Sequence, residues 1–286
     1  MNILVTGANG QLGNELRRLE KQFPQHVFFF TDVAELDITL ADAIQAFVKD
    51  NAIEAIVNCA AYTAVDKAEQ ELAFALEIHA TSPGLLADCA LNRNCLLVHV
   101  STDYVYDGKG YRPYTEQDAT GPESYYGYTK LAGEQAVINS GCASIILRTS
   151  WLYSAFGANF VKTMRKYGKE RGKLNVVFDQ VGSPTWAADL ASAIMQIIAH
   201  PEVRSFCGVY LYANEGVTSW YDFAREILEI SGIPCEVNPI ETKDYPLPAR
   251  RPHYSVLNKS LVKTTFGIKI PHWKESLLKC VQDLNE

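Results

Sequence analysis

The sequence predicts an α/β protein built on a doubly wound parallel sheet, with a smaller, mainly helical lobe. Short apolar segments alternate with segments of helical periodicity through the first half of the 286 residues, which is typical of a parallel sheet covered on both faces. A glycine-rich loop separates the first apolar segment from the first helical one. Beyond about residue 150 the alternation weakens, because prolines interrupt it at 184, 201, 234, 239, 246, 248, 252 and 271.

The spacing of apolar residues places the individual elements. Short apolar runs predict strands at 3–5, 27–30, 55–57, 96–100 and 145–147. Two early helices are predicted by apolar residues at helical spacing, namely Leu12, Leu16 and Leu19 in the first and Ile44, Phe47 and Val48 in the second. Thr39 is the candidate N-cap of the second helix. Further helices are predicted over 69–80, 83–93, 126–139 and 220–230.

Composition excludes several classes of function. A net charge of −7 argues against a general nucleic-acid binder, which needs a basic face. No apolar run approaches the roughly 20 residues of a membrane span, and the start of the chain lacks the basic segment of a secretory leader. The six histidines show no metal-binding spacing, so we expect no protein-built metal site. Seven scattered cysteines without CxxC spacing indicate reduced thiols and a cytoplasmic protein.

The glycine-rich loop has the spacing GxxGxxG and opens the first helix. Glycines allow a tight turn and a close approach of the backbone to a pyrophosphate, which then lies at the helix N-terminus. We therefore assign to a nicotinamide cofactor the loop residues Gly7, Gly10, Gln11, Leu12 and Gly13. The alternative is a plain structural turn. The strand–loop–helix context makes the predicted sheet Rossmann-like.

These assignments divide the chain into two parts. Residues 1–149, together with about 183–214, are predicted to form the NAD(P)-binding Rossmann domain. About 150–182 and 215–286 are predicted to form the smaller, substrate-binding lobe, lying over the carboxyl edge of the sheet where ligands of such folds bind.

Asp32 ends the second strand, about 20 residues past the glycine loop, where a carboxylate can accept hydrogen bonds from the adenosine ribose. Because a carboxylate repels a 2′-phosphate, NADH is favoured over NADPH. The alternative is a solvated turn acid. We also assign to the cofactor site Asp37 and Ile38, and after the third strand the small-residue segment Ala60, Ala61 and Tyr62.

Tyr126 and Lys130 form a YxxxK pair near the start of a helix, one turn apart on the same face. A phenol has an ordinary pKa of about 10. A neighbouring ammonium and the positive nicotinamide of an oxidised cofactor would lower that pKa by roughly two or three units, so that the tyrosine could exchange a proton with a reacting oxygen. Tyr125 and Tyr128 are decoys, since neither has a lysine four residues on.

A hydroxyl group completes the candidate catalytic set. Ser101 and Thr102 lie at the carboxyl end of the fourth strand, where a hydroxyl would face the nicotinamide and hydrogen-bond a substrate carbonyl. The order of loop, acid, hydroxyl and YxxxK is much more specific than any one of these signals.

The chain resembles the extended short-chain dehydrogenase/reductases and, within them, the dTDP-4-dehydrorhamnose reductases. The segments that carry the resemblance are MNILVTGANGQLG at the start, NCAAYTAVDKAE at 58–69, STDYVYDG at 101–108, YGYTKLAGE at 126–134, RTSWLY at 148–153, NFV at 159–161, DQVGSPT at 179–185 and Arg251-Pro252. The likeness spans nearly the whole chain.

The resemblance implies hydride delivery to C4 of dTDP-4-dehydro-L-rhamnose. It implies that Tyr126 donates the proton, that Lys130 holds the nicotinamide ribose, and that Thr102 rather than Ser101 polarises the carbonyl. Asp103 and Trp151 would line the substrate pocket, although a tryptophan here could also be a core residue at the junction of the two parts.

One position departs from the family. Some members dimerise through a magnesium ion held by glutamates. Glu15 is present here, but Ala187 and Ala188 stand where a second glutamate is expected. This departure argues against a bridging Mg²⁺ and against that dimer, while a homodimer of another kind stays compatible with the sequence.

Two other functions compete with this reading. The same motifs occur in a non-catalytic regulatory subunit of methionine adenosyltransferase, but that function predicts a damaged catalytic set. A sister reductase or epimerase acting on another nucleotide-sugar shares the fold and the catalytic residues, and differs only in details of the pocket.

Overall fold

A computed structural model of the protein describes residues 1–285. The strands are β1 (Asn2–Thr6), β2 (Val27–Thr31), β3 (Ala55–Asn58), β4 (Leu96–Thr102), β5 (Ser144–Thr149), β6 (Leu152–Tyr153), β7 (Lys173–Val177), β8 (Val181–Gly182), β9 (Thr185–Trp186), β10 (Gly208–Leu211), β11 (Thr218–Ser219) and β12 (Glu236–Ile240). The helices are α1 (Gln11–Leu19), α2 (Ala41–Asp50), α3 (Val65–Ala68), α4 (Leu72–Leu76), α5 (Ser82–Arg93), α6 (Tyr125–Ser140), α7 (Phe160–Arg171), α8 (Ala187–Ile198), α9 (Trp220–Ile230), α10 (Ser260–Phe266) and α11 (Trp273–Asp283). Within residues 1–285, no helix combines the length and the apolar character needed to cross a membrane.

The main sheet has six strands in the order β10-β5-β4-β3-β1-β2, and every neighbouring pair is parallel. The chain places β2 on one side of β1 and β3 on the other, where Ile3 pairs with Ala55. This reversal brings the carboxyl ends of β1 and β3 side by side, which is where ligands bind in open α/β sheets. The predicted fold class is confirmed.

Helices cover both faces of this sheet. Side chains alternate between the faces of a strand, so Ile3 and Val5 pack against α1 and α8, whereas Leu4 packs against α2 and α5. All three are fully buried. The near-continuous apolar strands follow from this double cover.

A separate core lies outside the sheet. Helices α7, α9 and α11 pack with the parallel pair β7–β12 around apolar side chains that include Val161, Phe223 and Leu277. By contrast, β10 pairs with β5 as a strand of the main sheet, and α8 packs beside α1 on one face of that sheet. The division into 1–149 plus about 183–214, and the remainder, stays a prediction.

Two local expectations are wrong. Thr39 does not cap α2, because its hydroxyl donates to Asp37 Oδ1 at 2.7 Å and the helix begins two residues later. The helix expected over 69–80 begins only at Leu72, as α4, and continues through a π-helical turn, Glu77–Thr81. Glu69 lies in the break between α3 and α4, where its carboxylate accepts from the amide of Tyr125 at 2.7 Å.

Candidate active site

A cavity of about 1370 Å³ opens at the carboxyl edge of the main sheet. The loops after β1, β3 and β4 form one part of its wall, with Gly7, Ala60 and Thr102 among the lining residues. Phe160 of α7 and Trp220 of α9 line another part. Pockets for a single drug-sized ligand measure roughly 300–1,000 Å³, so this cavity has room for two ligands side by side.

The glycine loop is shaped for a close approach of another group. Gly7 has a φ of +64°, and a Cβ there would lie 2.6 Å from Ala60 Cα. Gly10 donates its amide to the carbonyl of Gly7 at 3.1 Å, which closes the turn in front of α1. Both glycines line the cavity together with Gln11 and Leu12. A backbone cradle at a helix N-terminus fits the pyrophosphate of a dinucleotide.

Gly13 has a different place from the other loop glycines. It is buried and is not part of the cavity wall. A Cβ at this position would lie 2.5 Å from Ala8 Cα, so the missing side chain allows α1 to pack closely on the loop.

Asp32 follows β2 and lines the cavity with Asp37 and Ile38. Its Oδ2 accepts a hydrogen bond from the amide of Asn9 at 3.1 Å, and its Oδ1 accepts from the amide of Val33 at 2.9 Å. The carboxylate is therefore half-buried and fixed against the glycine loop, which is a more specific position than that of a freely solvated turn acid.

The loop after β3 is held by a buried asparagine. Asn58 Oδ1 accepts from Thr6 Oγ1 at 2.8 Å and from the amide of Ala60 at 3.2 Å. This arrangement ties the ends of β1 and β3 together and presents Ala60, Ala61 and Tyr62 to the cavity.

Thr102, Tyr126 and Lys130 line the same cavity. Ser124 caps α6 by accepting from the amide of Gly127 at 3.1 Å, which sets where the helix begins and hence where Tyr126 points. Lys130 lies one turn later and is buried, with its Nζ donating to the carbonyl of Val100 at 2.7 Å.

On balance the protein's own groups raise the pKa of Tyr126. Burial raises that pKa, the Asp103 carboxylate raises it further, and the Thr102 hydroxyl opposes both effects. Burial also lowers the pKa of Lys130 to about 8, against the opposing effects of Glu134 and Cys59. Among residues 1–285, the Lys130 ammonium does not contribute to a lower pKa at Tyr126, so the predicted lowering depends on the positive nicotinamide of an oxidised cofactor.

Asp103 is a second unusual acid in the cavity. Its Oδ1 accepts from Thr102 Oγ1 at 2.9 Å, and its Oδ2 is buried without a hydrogen-bond partner among residues 1–285. Burial raises the pKa of Asp103 to about 7, although the hydrogen bond from Thr102 acts in the opposite direction.

The alternative hydroxyl and phenol groups are engaged elsewhere. Ser101 donates to Glu134, which forms a buried ion pair with Arg148 at 2.6 Å. Tyr125 and Tyr128 pack against each other with ring centroids 5.8 Å apart, and neither lines the cavity. The geometry thus favours Thr102 and Tyr126 over these competitors.

Trp151 lines the cavity in an unusual backbone conformation. Its φ is +48°, which is rare for a bulky side chain. The indole stacks on Trp220 with centroids 3.6 Å apart and lies so close to Gly182 that a Cβ there would be 2.8 Å from the ring. Trp151 is therefore both packed at the junction and exposed to the cavity.

Comparison with known proteins places the chain in a family. A family model described as "RmlD substrate binding domain" matches residues 1–286. The chain belongs to the RmlD substrate-binding-domain family. A dTDP-4-dehydrorhamnose reductase of Burkholderia thailandensis is 40% identical over 99% of each chain.

Two solved structures agree with this assignment. A dTDP-4-dehydrorhamnose reductase from Clostridium acetobutylicum superposes with a TM-score of 0.95 at 42% identity, covering 100% of both chains. The corresponding protein of Bacillus anthracis, solved in complex with NADP, has a TM-score of 0.93 and 37% identity over 99% of both chains. The predicted resemblance is confirmed.

Glu15, the one glutamate that the sequence offered for a bridging metal, is engaged by protein contacts. Glu15 is buried, and its Oε1 accepts from Ser154 Oγ at 2.6 Å, while Arg18 lies 3.6 Å from its other oxygen. Ala187 and Ala188 offer no ligand oxygen from their side chains. The absence of a bridging Mg²⁺ stays a prediction.

Residue spacing alone does not reveal three residues that lie in this cavity or directly behind its wall. His79 lies behind Tyr126, Trp220 stacks on Trp151, and Arg251 lines the wall. The first two are single residues in helical segments, so no spacing marks them. Only the family resemblance, and not the spacing of residues, marks the Arg251-Pro252 pair.

Proposed function

We propose that this protein uses NAD(P)H to reduce the 4-keto group of dTDP-4-dehydro-L-rhamnose to give dTDP-L-rhamnose. The observation that carries the proposal is the presence of Thr102, Tyr126 and Lys130 in one cavity with the glycine loop. A non-catalytic binding subunit would not require this set, and each member occupies the wall. The relatives that bear this enzyme's name support the same conclusion.

Each residue has a distinct role in the proposed reaction. A bound NAD(P)H supplies the hydride that the carbonyl carbon accepts. Tyr126 gives its phenolic proton to the carbonyl oxygen, which completes the alcohol. Thr102 donates a hydrogen bond to that oxygen, and Lys130 binds the nicotinamide ribose. Gly7, Gly10, Gln11 and Leu12 hold the pyrophosphate.

The nucleotide part of the substrate also finds suitable partners. Lys109, Arg250 and Arg251 line the cavity. Lys109 is paired with Glu123 and Arg251 with Asp66, so Arg250, whose guanidinium lies 4.0 Å from Glu123, is the cation best placed to bind a diphosphate. Trp151 offers an apolar face to the sugar. All seven cysteines are free thiols, which is consistent with our proposal that the protein works in the cytoplasm.

A panel of ketosugars tests the proposed substrate. We expect cofactor oxidation with dTDP-4-dehydrorhamnose to exceed that with UDP- or GDP-linked ketosugars by at least about tenfold in kcat/KM, because buried polar groups penalise a base they do not match. Tyr126→Phe should lower kcat by about 10²–10⁴-fold with little change in cofactor affinity. Equal rates across the panel would favour a sister reductase. Full activity of Tyr126→Phe would show that Tyr126 is not the proton donor.

We propose that Asp32 makes NADH at least as good a cofactor as NADPH. Its carboxylate is fixed near the loop and repels a 2′-phosphate, although a relative from Bacillus anthracis was solved with NADP. We expect Asp32→Asn to increase the preference for NADPH over NADH by about fivefold to tenfold, measured as the ratio of kcat/KM values. Asp42→Asn is the matched control, since that acid lies on α2, is exposed and does not line the cavity. An unchanged ratio in Asp32→Asn would overturn the assignment.

A further inference from the structure

His79 connects the cofactor side of the cavity to the helix of the proton donor. It lies in the π-helical turn Glu77–Thr81 and is fully buried. The amide of Tyr62 donates to its Nε2 at 2.9 Å, and its Nδ1 lies 2.9 Å from Thr129 Oγ1. The Thr129 hydroxyl in turn donates to the carbonyl of Tyr126 at 3.0 Å.

The direction of this chain of hydrogen bonds is fixed by the first link. A backbone amide can only donate, so Nε2 must accept and the ring proton must be on Nδ1. Nδ1–H then donates to Thr129, whose own proton is left for the carbonyl of Tyr126. Each donor meets one acceptor, which is possible only for the neutral imidazole.

The surroundings keep the ring neutral and in place. Burial, together with the positive charge of Lys130, lowers the pKa of His79 to about 3. The backbone of the π-helical turn presses on α6, where a Cβ at Gly133 would lie 1.9 Å from the carbonyl oxygen of His79. The ring also meets the Tyr126 ring edge to face, with centroids 5.2 Å apart.

We propose that His79 is a positioning residue that fixes Tyr126 relative to the cofactor by joining the Tyr62 loop to α6 through Thr129. The inference rests on the proposed function, because it assigns Tyr126 as the proton donor. A misplacement of about 1 Å at a reacting group can cost as much as 10²-fold in rate. His79 touches neither reactant and acts through its two partners.

Substitutions can separate the two sides of this link, namely the hydrogen bond from Tyr62 to His79 and the path from His79 through Thr129 to Tyr126. Thr129→Val keeps the shape of the side chain but removes the hydroxyl that connects His79 to Tyr126. It should lower kcat about tenfold and change the Kd for NADPH less than about twofold. Thr129→Ser keeps the hydroxyl and should recover kcat to within about threefold of the wild type. His79→Asn keeps a donor near the Nδ1 position but loses the acceptor for the Tyr62 amide, so the Kd for NADPH should rise about fivefold. His79→Phe should show both effects.

His26 provides the matched control. It is a half-buried histidine whose ring nitrogens are shielded from solvent and have no partner among residues 1–285, and it does not line the cavity. His26→Asn should leave kcat and the Kd for NADPH unchanged. Melting temperatures of all variants show whether a loss reflects unfolding.

The outcomes decide the inference separately from the function. Wild-type kcat and Kd in both Thr129→Val and His79→Phe would overturn it, as would a Thr129→Ser variant that falls as far as Thr129→Val. If His79→Phe fails to fold, the Thr129 pair still decides. A wild-type protein without turnover on dTDP-4-dehydrorhamnose would refute the proposed function, and the NADPH Kd of His79→Asn would then decide whether the link exists.

Discussion

Asp103 is a carboxyl group whose surroundings favour its neutral form. It is 3% exposed, and its Oδ2 has no partner among residues 1–285. A protonated Asp103 can donate to Thr102 Oγ1, which lies 2.9 Å from its Oδ1. The Thr102 hydroxyl is then free to donate to a substrate oxygen. Burial thus lets this acid free the Thr102 proton for the substrate, next to the proposed proton donor.

The same burial makes stability depend on pH. The folded-state pKa of Asp103 is raised from 3.8 to about 7, so ionisation opposes folding progressively as the pH rises between these values. Each pKa unit corresponds to about 1.4 kcal/mol, so the full effect is on the order of 4 kcal/mol. We expect the free energy of unfolding of Asp103→Asn, relative to the wild type, to be higher at pH 8 than at pH 5, as measured by urea denaturation.

Asp107 is the control for this measurement. Its pKa is lowered, chiefly because its carboxylate accepts from Tyr114, so its contribution is present above pH 3.8 and is lost only in stronger acid. Asp107→Asn should therefore differ from the wild type by the same amount at pH 5 and pH 8. An Asp103→Asn difference that is equally constant would show that Asp103 ionises normally in the folded protein.

At the scale of single elements, the sequence predicts the sheet well because local patterns decide it. Continuous apolar runs such as Ile3 to Val5 occur where both faces of a strand are covered. The helix predicted over 69–80 begins three residues late and includes a π-helical turn, and the reason is tertiary. The backbone of His79 packs against α6 at Gly133, and the carboxylate of Glu69 accepts a hydrogen bond from the amide of Tyr125 at the start of α6. Contacts of this kind leave no periodic signal.

The catalytic set is predictable for a similar reason. Tyr126 and Lys130 lie four residues apart on one helix, so their common face follows from helix geometry. Thr102 ends a strand, and the carboxyl ends of parallel strands meet at one edge. His79 and Trp220 reach the site only through packing between elements far apart in sequence. The choice of Thr102 over Ser101 also depends on tertiary structure, because the buried Glu134 engages Ser101.

At the scale of the whole molecule, one ion pair crosses between α3 and the segment after β12. Arg251 donates to both oxygens of Asp66, at 2.5 and 2.6 Å. The amide of Ala249 donates to the same carboxylate at 3.1 Å. Tyr245, Pro246 and Leu247, just before these contacts, line the cavity. The pair therefore fastens the 242–251 segment, here called the strap, to the cofactor side of the molecule.

We expect Asp66→Asn to loosen the strap without unfolding the protein. Partly buried bidentate pairs contribute about 1 kcal/mol or more, which corresponds to about fivefold in an opening equilibrium. Trypsin should cleave the variant about fivefold faster after Lys243 and Arg250, whose side chains are 73% and 78% exposed. The KM for the nucleotide-sugar should rise by a similar factor, while the KM for the cofactor stays within about twofold.

The pair Lys173–Glu236 separates this effect from a general loss of charge. Its two side chains are 59% and 60% exposed, and neither lines the cavity. Glu236→Gln should leave tryptic cleavage and both KM values unchanged. Arg251→Lys keeps the charge but cannot form the two parallel hydrogen bonds, so it should resemble Asp66→Asn rather than the wild type. If Arg251→Lys behaves as the wild type, charge alone holds the strap, and the paired geometry is not what closes this side of the cavity.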